Sequence, residues 1–269
     1  MEARELQTGG LSVRDVTVAF GGITALDNVS LDVSPGEVLG VIGPNGAGKT
    51  TLFNVICGFV KPDSGTISWR NEPLGRIRPD RLAQLGIART LQGVGLFGSL
   101  TVLENVMAGA QRFRRAGALS GLLALPRSDR DERALRERAE QALAQLGCEG
   151  TGARRPGTLP YAVQKRVALA RALVSEPELL LLDEPAGGLD ADELSELAKL
   201  IDSLGHSIAV MLVDHHMDLV TSVCDRVVVL DFGRVIATGA PPEIRQDPKV
   251  LDAYLGEPAE AVGTGANGG

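Results

Sequence analysis

The chain has 269 residues, 44% hydrophobic and 23% charged, an ordinary globular composition with room for one large domain. A net charge of −7 and only 3% aromatic residues run against nucleic-acid binding, which needs basic surface and stacking platforms. No apolar run approaches the roughly 18 to 20 residues that span a bilayer, and the N-terminal MEARELQTGG has neither an apolar core nor a cleavage-like site, which predicts an unexported, cytosolic chain.

In chain order, the alternation of Leu11, Val13, Val16 and Val18 predicts an edge strand. Residues 28–33 and 37–42 read as two further strands around the turn Ser34-Pro35-Gly36. Next comes Gly43-Pro44-Asn45-Gly46-Ala47-Gly48-Lys49-Thr50, a glycine, four residues, then Gly-Lys-Thr. This is the phosphate-binding loop of P-loop nucleotidases, here in the strand–loop–helix setting the motif requires, with Thr51 opening the helix. Its glycines let backbone N–H groups converge on a phosphate, and the helix adds its positive end. Lys49 is the candidate for the β- and γ-phosphates, and the Thr50 hydroxyl for Mg²⁺.

Pro62-Asp63-Ser64-Gly65 is a turn and residues 66–69 a short strand. From Pro79 to about Leu173 the texture becomes helical and arginine-rich. Its clearest amphipathic stretch is 129–146, with Leu135, Ala139, Ala142, Leu143 and Leu146 on one face. Residues 179–182 are four leucines that lead into Asp183-Glu184, the pattern of a buried parallel strand ending in two carboxylates. At the carboxyl edge of a sheet, Asp183 can hold the Mg²⁺ shell and Glu184 can polarise the water that attacks the γ-phosphate. Strands at 208–213 and 227–230 alternate with helices at 192–204 and 216–223. The result is a doubly wound α/β fold: a P-loop NTPase core with a mostly parallel sheet, an N-terminal antiparallel β part and an inserted helical lobe. The domain is expected over 11–256, its lobe over about 90–175, with a disordered tail at 257–269. Cys57, Cys148 and Cys224 are far apart and odd in number, and read as reduced, partly buried thiols.

With those motifs in place, the chain resembles the nucleotide-binding subunits of ABC transporters from about Leu11 to Gly256. The resemblance implies ATP and Mg²⁺ as cofactors and gives several residues a role. Phe20, ahead of Gly21-Gly22, falls where that family sets an aromatic against adenine; a core phenylalanine is the competing reading. Gln92 matches the glutamine that reaches both Mg²⁺ and the attacking water, at the hinge of the lobe. Gly188-Leu189-Asp190 matches the loop that crosses to a partner subunit, and His215 the switch histidine on the γ-phosphate. His216 reads as a solvated helix-cap residue and His206 as loop.

The chain departs from the family at the signature, where Leu-Ser-Gly-Gly-Gln opens a helix that caps the nucleotide of the opposite subunit. Here the segment is Leu159-Pro160-Tyr161-Ala162-Val163-Gln164, followed by Lys165-Arg166 and the helix of residues 167–173. Pro160 lacks the serine hydroxyl, and the methyl of Ala162 stands where glycine lets phosphate approach. The contact to the partner's nucleotide is therefore expected to be weakened and the two sites of the dimer unequal.

Residues 20–26, 86–106 and 253–257 look like the branch that imports branched-chain and other polar amino acids. The resemblance implies an ATPase on the cytoplasmic face of the membrane. Its partners would be a second ATP-binding subunit forming a heterodimer, two permease subunits and an extracytoplasmic substrate-binding protein, with no nucleic acid. A urea or short-amide importer and a lipopolysaccharide-export ATPase share the texture. Outside transport, the alternatives are a weakly active or silent ATP-binding scaffold and a soluble ABC ATPase linked to nucleic acid or ribosomes. A single P-loop and an acidic balance disfavour the last, and Glu184 with His215 disfavours the scaffold.

Overall fold

The computed structural model describes residues 9–75, 77–90, 93–113 and 126–255. Two sheets face each other. The first is antiparallel, built from β1 (Leu11–Phe20), β2 (Ile23–Val33), β4 (Ser64–Trp69) and β5 (Glu72–Pro73) in the order β2-β1-β4-β5. The expectation of an edge strand at 11–18 is corrected: β1 pairs on both sides, with β2 and β4. Alternation reports one buried face, and carries no information on whether both ladders are filled.

The second sheet holds β3 (Val38–Ile42), β6 (Ile87–Arg89), β7 (Leu179–Asp183), β8 (Ala209–Val213), β9 (Arg226–Asp231) and β10 (Arg234–Gly239), in the order β10-β9-β3-β8-β7-β6. All its pairings are parallel except β9 with β10. Strand β6 interrupts the stretch read as helical, because three residues are too few to show a period.

Both faces of this sheet are buried, so its strands read as continuous apolar runs. Along β7, Leu179 and Leu181 join the cluster that includes α1 (Lys49–Ile56) and the antiparallel sheet. Leu180 and Leu182 join the opposite cluster, formed with α4 (Tyr161–Leu173), α5 (Ala191–Gly205) and α6 (Met217–Val223). Between β6 and β7 the chain adds α2 (Val102–Gly109), α3 (Pro126–Gln145) and α4. The face expected on α3 is observed: Ala139, Ala142 and Leu143 are buried, with Leu146 just beyond the helix and Leu135 packed alongside. Two short helices, α7 (Pro241–Gln246) and α8 (Pro248–Leu255), follow β10. Residues 257–269, read as a tail, lie outside the described residues. No described helix is long and apolar enough to cross a membrane.

Candidate active site

Strands β3, β8 and β7 are parallel neighbours, so their carboxyl ends open on the same edge of the sheet. Each delivers one part of the site there. After β3, Gly43 turns with φ +148° and Gly48 caps α1 at φ +104°, a left-handed conformation that excludes ordinary side chains. A Cβ on Gly48 would lie 2.5 Å from the Ala25 carbonyl oxygen. The N-cap of α1 thus brings no side chain of its own, and the helix end is left to backbone N–H groups, the chemistry that suits a phosphate. Lys49 Nζ lies over this loop, donating to the carbonyls of Gly43 at 2.6 Å and Pro44 at 2.7 Å. Asn45, Gly46 and Thr50 are exposed, Ala47 is buried and Thr51 is half-buried.

After β7 come the two carboxylates. Asp183 is 4% exposed and ion-pairs with Arg89, whose Nη2 donates to Oδ2 at 2.6 Å. The same guanidinium donates to Asn54 Oδ1 on α1 at 2.8 Å and lies 5.5 Å from the centre of the Phe53 ring. A buried charge needs such a partner. Arg89 was not singled out in the sequence, since a single arginine beside a glutamine motif carries no spacing signal. Glu184 leaves the strand with φ +48°, rare for a residue with a side chain, and its amide donates to the Val213 carbonyl at the end of β8.

After β8, buried Asp214 ties two segments together. Its Oδ2 accepts from the Ala186 amide at 2.9 Å and its Oδ1 from the His216 amide at 2.9 Å. His215 is exposed at the sheet edge, where the switch histidine was expected. His216 caps α6 with its side chain 35% exposed, and its ring Nδ1 sits 2.7 Å from Asp214 Oδ1, with the two imidazoles 4.2 Å apart. Among the described residues, Asp214, His215 and His216 alone place three ligand-type atoms within 4.8 Å of one another, a cluster these hydrogen bonds account for. His206, expected in a loop, ends α5 with Nδ1 2.7 Å from the Asp202 carbonyl.

The remaining candidates fall on the same rim or are set apart from it. Phe20 ends β1 and is 51% exposed, which removes the core reading. Asp190 caps α5 through a reciprocal box with Glu193, so its carboxylate already has a structural task. Leu189 is half-buried and Gly188 exposed. At the start of α4, Leu159 and Ala162 are buried, Pro160 and Tyr161 exposed, and Val163 and Gln164 half-buried. Ala162 lines a cavity of about 310 Å³ with Leu169, Leu182 and Leu197. Gln92 lies outside the described residues.

A phosphate-binding loop, a carboxylate pair and an exposed histidine, on adjacent parallel strands with a helical segment inserted beside them, define an ATP-binding cassette. The chain belongs to the ABC transporter family, whose model matches residues 26–187; a second model, the branched-chain amino acid ATP-binding cassette transporter, matches residues 234–260. Over 249 residues it is 41% identical to the high-affinity branched-chain amino acid transport ATP-binding protein LivG of Escherichia coli, covering 92% of this chain and 98% of that one. The corresponding protein BraF of Pseudomonas aeruginosa is 39% identical with the same coverage. The lipopolysaccharide export system ATP-binding protein LptB of Haemophilus influenzae is 32% identical over 92% of this chain and 97% of its own. Among solved structures, a nucleotide-free ATP-binding cassette from an ABC transporter matches with TM-score 0.81 and 31% identity, over 93% of this chain and all of that chain. The ADP conformation of the cassette MJ1267 matches with TM-score 0.80, 31% identity and 93% and 99% coverage. The protein is an ABC transporter ATP-binding subunit, an ATPase that powers transport.

Proposed function

We propose that the chain hydrolyses ATP to drive a permease that imports branched-chain amino acids, as one half of a heterodimer fed by an extracytoplasmic binding protein. The observation that carries the catalytic reading is the convergence of three parallel strand ends, which brings Gly43 to Thr51, Asp183-Glu184 and His215 to one edge. The match of residues 234–260 to the branched-chain type supports the cargo.

In this reading the P-loop amides and Lys49 bind the β- and γ-phosphates, and Phe20 covers the adenine. Lys49 gives up the Gly43 and Pro44 carbonyls to do so. The oxygen donors of the Thr50 hydroxyl and Asp183 suit a divalent cation, and with Gln92 they would hold Mg²⁺, which would supply charge neutralisation for the transferred phosphoryl group. Glu184 accepts a hydrogen bond from the attacking water, and His215 donates one to a γ-phosphate oxygen. The P–O bond to the leaving ADP breaks as the water oxygen bonds to phosphorus. Residues 159–164 face the nucleotide of the partner subunit, and the loop Gly188-Leu189-Asp190 lies beside them. Exposed Phe97, held near Arg171 (5.9 Å to the ring centre), belongs to the surface that receives a short permease helix.

The test is reconstitution of the chain with the permease, second ATPase and binding protein encoded beside it. ATP hydrolysis is expected to rise with leucine, isoleucine or valine and to vanish with Glu184→Gln in this chain combined with loss of the catalytic glutamate in the second ATPase. Stimulation by nucleic acid, or none by any amino acid, overturns the reading.

A further inference from the structure

Lys165 sits one turn inside α4, on the segment whose start belongs to the signature. Its ammonium reaches the backbone of its own subunit. It donates to the Pro185 carbonyl at 2.7 Å and more loosely to the Glu184 carbonyl at 3.4 Å. Charge-assisted bonds from a half-buried ammonium are stronger than their neutral counterparts.

The backbone it grips is unusual. Glu184 holds φ +48°, a conformation that costs a residue with a side chain free energy and persists only where its surroundings over-determine it. Its amide is fixed by the Val213 carbonyl, and its own carbonyl accepts from the Gly187 amide at 3.4 Å as well as from Lys165. Burial pulls the Lys165 pKa down, while the carboxylates of Asp214 and Glu184 push it back up.

The lysine also closes a circuit. Its ammonium lies 5.4 Å from the centre of the Tyr161 ring, and that ring packs on Gly188: a Cβ there would stand 2.9 Å from Tyr161 Cε1. Signature residue Tyr161, Lys165 and the turn 184–188 are therefore in mechanical contact within one chain.

We propose that Lys165 is a positioning residue for hydrolysis, holding the Glu184–Pro185 backbone from the helix whose first turn faces the partner's nucleotide. Through it, occupancy of the partner's site is transmitted to the glutamate of the chain's own site. The proposal rests on the reading that Glu184 orients the attacking water.

The experiment measures steady-state ATPase kinetics of the reconstituted transporter with this chain as K165M, K165R and E184Q and the second ATPase inactivated at its own catalytic glutamate, with melting temperature and ATP affinity followed alongside. K165M keeps the stem over Tyr161 and removes the donor. It is expected to lower kcat about tenfold with KM and ATP affinity within about twofold, since the lost bonds orient a reacting group rather than bind nucleotide. K165R, able to donate to both carbonyls, is expected to recover most of the rate. If K165M does not fold, K165Q gives the same reading. Unchanged kcat at unchanged melting temperature, or equal rates for K165R and K165M, overturns the proposal. If E184Q itself turns over normally, the role given to Glu184 fails instead, by a separate observation.

Discussion

Arg89 and Asp183 lie on neighbouring parallel strands and close a salt bridge of 2.6 Å, with side chains only 11% and 3% exposed. The pair joins the last residue of β6 to the first carboxylate of the site, and through Asn54 it reaches α1. Arg89 Nε is buried and finds no hydrogen-bond partner among the described residues, so the ion pair and the Asn54 bond carry much of the solvation of this guanidinium. Arg89→Met leaves Asp183 buried and unpaired, which is expected to cost roughly 3–5 kcal/mol. Urea unfolding measures it. A loss below about 1 kcal/mol would mean that water or Lys49 replaces the arginine. Arg89→Lys, a single point charge in place of a fork, is expected to fall between the two.

Gly48→Ala places a Cβ against the Ala25 carbonyl oxygen in a backbone that already disfavours side chains. A loss of about 2 kcal/mol in stability is expected, together with loss of nucleotide affinity as the loop distorts. Titration with a fluorescent ATP analogue checks the second part. Normal affinity would show that the loop can open at Gly48 without harm.

Asn105 is fully buried on α2, and its side chain serves the backbone of the preceding loop. Oδ1 accepts from the Phe97 amide at 2.8 Å, while Nδ2 donates to the Phe97 carbonyl at 3.0 Å and the Thr101 carbonyl at 2.9 Å. Asn105→Leu is expected to cost about 2–4 kcal/mol, because buried backbone groups lose their partners. Thermal melting reports it. Amides 97–101 should also exchange faster with solvent, and unaltered exchange there sinks the explanation.

Burial raises the Cys57 thiol to about 11 and the Cys224 thiol to about 12, with Arg89 opposing the shift at Cys57. Both folded values lie above the ordinary value of 9.0, so the folded state holds these protons more tightly. Their contribution to stability is complete below pH 9.0 and is lost as pH rises through about 11 and about 12. At pH 8 native protein is expected to react negligibly with a thiol-specific disulfide reagent, and unfolded protein to release three equivalents from the buried free cysteines. Rapid labelling of the native chain would contradict this.

Two of the departures at the signature, Pro160 and Ala162, are expected to behave differently. Ala162→Gly removes a buried methyl from the first turn of α4 and costs about 0.5–1 kcal/mol with no gain in turnover. Pro160→Ser adds a hydroxyl at an exposed N-cap that has no side-chain bond, and raises hydrolysis at the partner's site. Single-site assays with Glu184→Gln in this chain separate the two sites. A larger gain from Ala162→Gly than from Pro160→Ser would place the defect at the methyl.

Much of the site was legible because each part is written locally. The glycines and lysine of residues 43–50 and the leucine run before Asp183 are short contiguous patterns with one structural outcome. What stayed hidden depends on distant partners. Arg89 acquires meaning only from Asp183, 94 positions away, and Lys165 only from the turn at Glu184. The strand of residues 87–89 and the central place of β1 follow from pairing, which alternation does not encode. The contact of the His216 ring with Asp214 is likewise set by folding and not by residue type.

The grip of Lys49 on the carbonyls of Gly43 and Pro44 bears on how tightly any phosphate can bind. Any phosphate that enters must displace two short hydrogen bonds before it gains the lysine. Orthophosphate or pyrophosphate brings few compensating contacts, whereas a nucleoside triphosphate brings a ribose, a base and a second phosphate for the helix end. The folded-back lysine therefore lowers the affinity for every phosphate by a common amount, and any preference for a triphosphate has to come from the extra contacts that ligand brings.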